Sequence, residues 1–137
     1  MLVWAIVLLK EKHHDIPRVR ILGDGPERKN LIQLSQDLGI REQVDFLGHV
    51  GADVVRREMK GAIAVVVPSR HFDAAPYVVW EATNAGAQVM VSDCGGLPEL
   101  IAESGQVFSE SSGFELFGLL QSIRIINEEA NYTEVLR

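Results

Sequence analysis

Cysteine is almost missing from these 137 residues. Cys94 stands alone, so no internal disulfide can form, and no second Cys or His sits near it at metal-ligand spacing. A solitary thiol fits a reducing compartment and a buried, inert side chain. Long apolar runs are missing too. Leu2 to Leu9 falls far short of the roughly 20 residues a membrane span requires, no basic residues precede it as in a signal peptide, and no small-residue cleavage site follows. Positive charge is in deficit: 13 Lys and Arg against 19 Asp and Glu give a formal charge of −6, scattered along the chain with no basic stripe. That argues against a nucleic-acid backbone as partner. Internal repeats, low-complexity stretches and linkers are absent as well. These absences predict a soluble, cytoplasmic protein that touches a membrane at most peripherally, through a partner region.

What is present is enough for one domain. At 47% apolar, the composition can fill a single core between two layers. Short β-branched runs at 18–22, 44–47, 63–67, 88–91 and 106–108 read as strands, separated by helical patterns at 26–38, 52–60, 76–85, 97–103 and 113–128. The alternation predicts an α/β fold: a parallel, Rossmann-like sheet with helices on both faces. The unbroken run Ile63-Ala64-Val65-Val66-Val67 fits a strand covered on both sides.

Local chemistry marks the boundaries. Pro26 and Pro76 suit first-turn helix positions, while Gly39, Gly86 and Gly105 suit the left-handed residue that ends a helix. Residues 1–14 fit a helix with an apolar face better than a short strand. The polar stretch Asn127 to Arg137 is expected to fray, from residue 128 on, or to continue into a further helix. Trp4, Phe46 and Met90 are assigned to the core.

In a doubly wound sheet, ligands collect at the carboxyl ends of the strands, so the loops there carry the functional candidates. After the first strand, Gly23-Asp24-Gly25-Pro26-Glu27-Arg28 forms a tight turn that lets backbone approach a ligand. It equally fits a plain strand-to-helix turn. It is not the dinucleotide fingerprint, because position 28 is Arg where the third Gly would stand. After the third strand, Asp73 in the loop and Glu81 in the following helix can reach one cleft and accept hydrogen bonds from sugar or ribose hydroxyls, with the amides of Tyr77 and Val78 facing phosphate. A helix cap and a solvated helix residue fit the same spacing. After the fourth strand, Gly95-Gly96-Leu97-Pro98 opens another helix through a Gly-rich turn.

Taken together, these segments resemble the C-terminal domain of retaining GT-B glycosyltransferases of group 1, the family of glycogen synthases and bacterial mannosyltransferases. The residues that carry the resemblance run from about Leu2 to Phe108: Gly-Asp-Gly-Pro-Glu-Arg at 23–28, Val44-Asp45-Phe46-Leu47-Gly48-His49-Val50, Pro68-Ser69-Arg70, Tyr77-Val78-Val79-Trp80-Glu81-Ala82 and Gly95-Gly96-Leu97-Pro98-Glu99. The resemblance implies the C-terminal half of a GT-B fold that binds a nucleoside diphosphate sugar (UDP-, GDP- or ADP-hexose), needs neither cofactor nor metal, and transfers a hexosyl unit with retention. Gly23, Gly25, Val50, Arg70, Asp73, Tyr77, Val78, Glu81, Gly95 and Gly96 are the donor-binding residues it implies, Val50 by its backbone toward the base. Asp73 and Glu81 would orient the donor without acting as nucleophiles.

The sequence departs from the family pattern in three places, one of them Ala74-Ala75-Pro76, which stands where the family usually has a small Gly-rich turn and whose Pro76 nitrogen cannot donate to phosphate. The family carries Glu-x7-Glu. Here Asp73 replaces the first Glu, shortening the side chain by about 1.5 Å, and misplacement on that scale can cost roughly a hundredfold in rate. The family domain also opens with a strand bearing a Gly-Arg pair and a nearby Lys, which this chain lacks, along with an acceptor domain. Arg70 or His71 would be the substitute cations. That strand would sit centrally. Its gap must be filled by Leu2 to Leu9 as a strand, by another chain, including a second copy in a homo-oligomer, or by sequence lost when a longer protein was cut. By itself the chain is then incomplete and inactive, and the rival reading is a non-catalytic domain that binds a nucleotide sugar or pairs with a partner supplying the acceptor half.

Overall fold

The computed structural model describes residues 2–13, 16, 18–68, 76–101, 105–109, 112–126 and 131–135, with backbone alone for 76, 120–126 and 131–135. Six α-helices and six strands, counted among these residues, follow in order: α1 (Leu2–Lys12), β1 (Val19–Leu22), α2 (Arg28–Asp37), β2 (Val44–Gly48), α3 (Ala52–Gly61), β3 (Ala62–Val67), α4 (Pro76–Asn84), β4 (Gln88–Ser92), α5 (Leu97–Ile101), β5 (Gly105–Phe108), α6 (Gly113–Ile126) and β6 (Asn131–Val135), with a short 3-10 turn at Arg41–Gln43 before β2. Strands and helices read from the sequence are found with their ends shifted by a few residues at most.

All strands pair in parallel, in the order β2-β1-β6-β3-β4-β5. Side-chain alternation along each strand divides the core in two. Ala64 and Val66 of β3 face one side, together with Val19, Ile21, Val44, Met90 and Phe108, under α1, α2 and α6. Val65 and Val67 face the other, with Val89 and Val91, under α3, α4 and α5. This is the α/β sheet with helices on both faces that the alternating pattern predicts.

Residues 2–12 form a helix because Leu2, Ala5, Ile6 and Leu9 recur at helical spacing and are all buried. Lys10 near its end donates to the Gly39 carbonyl, and the Lys12 ammonium lies 5.9 Å from the centre of the Phe117 ring on α6. Trp4 points off the apolar face and is 51% exposed, so it does not belong to the core to which the sequence assigned it. Phe46 packs against the core from a half-buried position, and Met90 is fully buried.

The central slot is filled from an unexpected direction. Leu2 to Leu9 is helical, and the segment Asn131–Val135, expected to fray or to become helix, is instead the strand between β1 and β3. Tyr132 stands in register with both Val19 and Ala64, and Thr133 with Arg20 and Val65. A parallel strand slotted between two others has its backbone groups taken on both sides, a tertiary gain that adds to the strand preference of Tyr132, Thr133 and Val135 and outweighs that of Asn131 and Glu134. The slot that Leu2 to Leu9, another chain or a second copy were the candidates to fill is therefore occupied by Asn131–Val135.

Two glycines behave as helix ends should: Gly39 (φ 67°) and Gly86 (φ 78°) are left-handed. Gly105 is not. It starts β5, and a Cβ there would lie 2.7 Å from the Val89 carbonyl oxygen and 2.9 Å from Ile101 Cβ, so close approach, not chirality, demands glycine. Pro26 falls in the turn before α2, while Pro76 does open α4.

Candidate functional site

Because every strand runs the same way, the carboxyl ends of β1, β2, β3 and β4 lie at one edge of the sheet. The turn after β1 is fastened to the end of β2. The Gly23 amide donates to the Gly48 carbonyl at 2.8 Å, and both residues take positive φ, 107° and 69°. Gly25 donates its amide to Asp24 Oδ1 (2.8 Å), its carbonyl accepts from the Arg28 amide, and a side chain at 25 would meet open space. Val50 is half-buried in the turn between β2 and α3, after exposed His49.

Helix α4 presents its first turn to the same edge. Val78, Val79 and Ala82 anchor it in the core beneath α3 and α5, leaving Tyr77 and Trp80 outward at 73% and 66% exposure. The amides of Tyr77 and Val78 lie in the first turn, where helical geometry supplies no acceptor four residues back. Glu81 is half-buried in the second turn. Asp73, Arg70 and His71 lie outside the described residues.

The turn after β4 is tied to its neighbour by the Asp93 amide, which donates to the Phe108 carbonyl at 2.9 Å. Cys94 is buried under it, and Gly95 takes φ 56°. The amides of Leu97 and Glu99 donate back to Cys94 and Gly96, so the start of α5 is already satisfied by its own turn. Gly95 and Gly96 are exposed.

Gly23, Gly25, Val50, Tyr77, Val78, Glu81, Gly95 and Gly96 thus belong to loops and to the first two turns of α4 along one edge. Strands β2 and β4 are four steps apart in the sheet, and at about 4.8 Å per step the row extends over about 19 Å. It offers backbone donors and the Glu81 carboxylate of α4, with Asp53 and Glu99 in the first turns of α3 and α5 at the same edge. Arg28 closes the motif at 23–28 that carries the family resemblance, but it was not among the donor-binding residues expected from the sequence. In the structure its Nη2 lies 3.8 Å from where a Cβ on Gly48 would stand, at this same edge. A basic residue directly after a Gly-rich strand-to-helix turn was the only signal available.

Comparison with known proteins bears on what such an edge does. A family model described as glycosyl transferases group 1 matches residues 1–114. An uncharacterized glycosyltransferase of Methanocaldococcus jannaschii is 38% identical over 100 residues, 73% of this chain and 25% of its own length. The lipopolysaccharide outer core galactosyltransferase WaaB in its apo form superposes with a TM-score of 0.72 at 24% identity, over 95% of this chain and 37% of that one. Anabaena HepE in complex with UDP gives 0.72 at 25% identity, over 93% and 35%. The chain therefore spans between a quarter and little more than a third of these proteins, and its sheet has the Rossmann-like architecture of GT-B glycosyltransferases. By the match over residues 1–114, the chain belongs to the group 1 glycosyltransferases.

Proposed function

We propose that this chain is the donor-binding part of a retaining glycosyltransferase, holding a nucleoside diphosphate hexose along the carboxyl edge of its sheet while an acceptor hydroxyl is brought by sequence outside these residues. The observation that carries the reading is the gathering of the Gly23, Val50 and Gly95 turns and the start of α4 on one edge, in a chain of this family with a UDP-bound neighbour.

In this reading the first-turn amides of Tyr77 and Val78 face the diphosphate, where the positive end of the helix dipole favours negative charge. As the sugar departs, charge grows on the leaving phosphate, and fixed amides stabilise it without reorganising. Pro76 has no N–H to add. Glu81 takes ribose hydroxyls and Asp73 those of the transferred sugar. Retention by two carboxylates would need one of them as nucleophile; here the leaving phosphate assists the acceptor on the same face, so both acids orient. The turns at Gly95 and Gly96 border sugar and phosphate, and Arg70 adds positive charge.

Among the described residues no helix is long and apolar enough to cross a membrane. The lone, buried Cys94 fits the reducing cytoplasm.

Calorimetric titration of the chain with UDP, GDP, ADP and their hexose conjugates tests the reading, with Glu81→Ala alongside. Saturable binding of one nucleotide, lost in the variant, is the expected result. A folded chain that binds none of them would remove the donor-site reading and leave the pairing role.

A further inference from the structure

Arg28 opens α2, and its guanidinium reaches back over the end of β2 to lie against Gly48, which is buried beneath it. Its Nε is shut off from solvent and meets no hydrogen-bond acceptor. That sets it apart from the other arginines whose side chains are described. Arg18 pairs with Asp45, Arg20 with Glu58 and Arg56 with Asp53; Arg57 approaches Glu58, and Arg41 donates to the Val44 carbonyl. The carboxylates nearest Arg28 in the chain are engaged elsewhere: Asp24 accepts from the Gly25 amide and Glu27 from Asn30.

A desolvated N–H without an acceptor is a cost the folded chain carries, and such groups are rare unless something else supplies the acceptor. Helix first turns and turns at this edge hold few other basic side chains among the described residues: Lys29 and His49, both exposed. The guanidinium is a planar fork of five donors with no acceptor of its own, suited to oxygens of a carbonyl or phosphate. The fork lies directly over Gly48, where a Cβ would stand at van der Waals distance, 3.8 Å, from Nη2.

We propose that Arg28 contacts the ligand, its guanidinium donating to an acceptor oxygen of the nucleotide bound along this edge. This rests on the donor-binding reading above. A nucleotide offers such oxygens in two places, the base carbonyls and the phosphates, and both suit the same fork.

Binding of the preferred nucleoside diphosphate to Arg28→Ala and Arg28→Lys, measured beside thermal unfolding of each variant, tests the inference. Arg28→Ala is expected to bind roughly tenfold or more weakly, with a melting midpoint within about 2 °C of the parent or higher, because a desolvated donor is removed. Repeating the titration with the free nucleoside, the monophosphate and inorganic pyrophosphate separates the two sources. A loss shared by the nucleoside assigns the base, whereas a loss confined to the phosphorylated ligands and softened in Arg28→Lys assigns the phosphate. Unchanged affinity in Arg28→Ala, with Glu81→Ala still abolishing binding, would overturn the role of Arg28 alone. A lowered melting midpoint with unchanged affinity would do the same, marking Arg28 as a brace for the β2 turn. Failure of the parent chain to bind any nucleotide overturns this inference together with the reading on which it rests.

Discussion

Arg20 on β1 donates to the Glu58 carboxylate on α3, joining the sheet to the helical layer through a pair in which the Glu58 side chain is only 10% exposed and Arg20 35%. Arg57 also approaches Glu58, at 3.9 Å, from a more exposed position. Removing one partner of such a pair leaves a poorly solvated charge, while replacing both by apolar groups is often neutral. Arg20→Met is expected to lower the unfolding free energy by about 2 kcal/mol, less than for a fully buried pair because Arg20 is partly solvated. Arg20→Met combined with Glu58→Leu should regain most of that in urea titrations. Additive losses in the double variant would show that the two side chains do not act as a unit.

Gly105 and Gly96 make a contrasting pair. A methyl at 105 would press on the Val89 carbonyl and on Ile101, whereas one at 96 meets nothing within 4 Å. Gly105→Ala should cost roughly 2–4 kcal/mol and Gly96→Ala should stay within about 0.5 kcal/mol of the parent. Chemical denaturation of the two variants side by side decides it; equal effects would contradict the tight contact at the start of β5.

Strand β6 is paired on both sides. Proline in a doubly paired strand removes a ladder hydrogen bond and clashes with its neighbours. Thr133→Pro is therefore expected to cost about 3 kcal/mol or more, read as a lower melting midpoint by circular dichroism. An unchanged melt would mean that Asn131–Val135 is not holding β1 to β3.

Helix α1 has one buried stripe and one exposed side. Leu9, 1% exposed, sits in the core between the sheet and α6, and Leu9→Ala should cost about 2–5 kcal/mol through lost burial and the cavity left behind. Trp4→Ser, on the outward side, should change stability by about 0.5 kcal/mol or less. The reverse order would place the wrong face of α1 against the sheet.

Most of the fold could be read before the structure because the signals were strong and local. Ile63 to Val67 could hardly be anything but a covered strand, and Leu2, Ile6 and Leu9 fall on one helical stripe. Two features escaped for the same reason. Asn131–Val135 is polar and carries no alternation that says strand; it becomes one because β1 and β3 offer unpaired backbone, a fact about their spacing that no window of sequence contains. Gly105 was assigned to a helix end because glycine commonly stands there, whereas the need for it arises from Val89 and Ile101, which only the folded chain brings together. At the candidate edge, the turns and the start of α4 were legible from glycine, proline and strand endings. The placement of Arg28 was not, since it depends on how β2 ends beside the turn after β1.

The position of β6 also sets the order in which the sheet can be completed. Val19 and Ala64 belong to strands that never bond to each other; both reach their common partner only at Tyr132, after every other strand has been made. Until then β1 with β2, and β3 with β4 and β5, are separate ladders, each with an open inner edge of the kind that invites pairing between chains. Closing a sheet through its latest strand relies on contacts remote in sequence, which form slowly. Until β6 docks, the two ladders keep the open inner edges that a six-stranded sheet no longer shows.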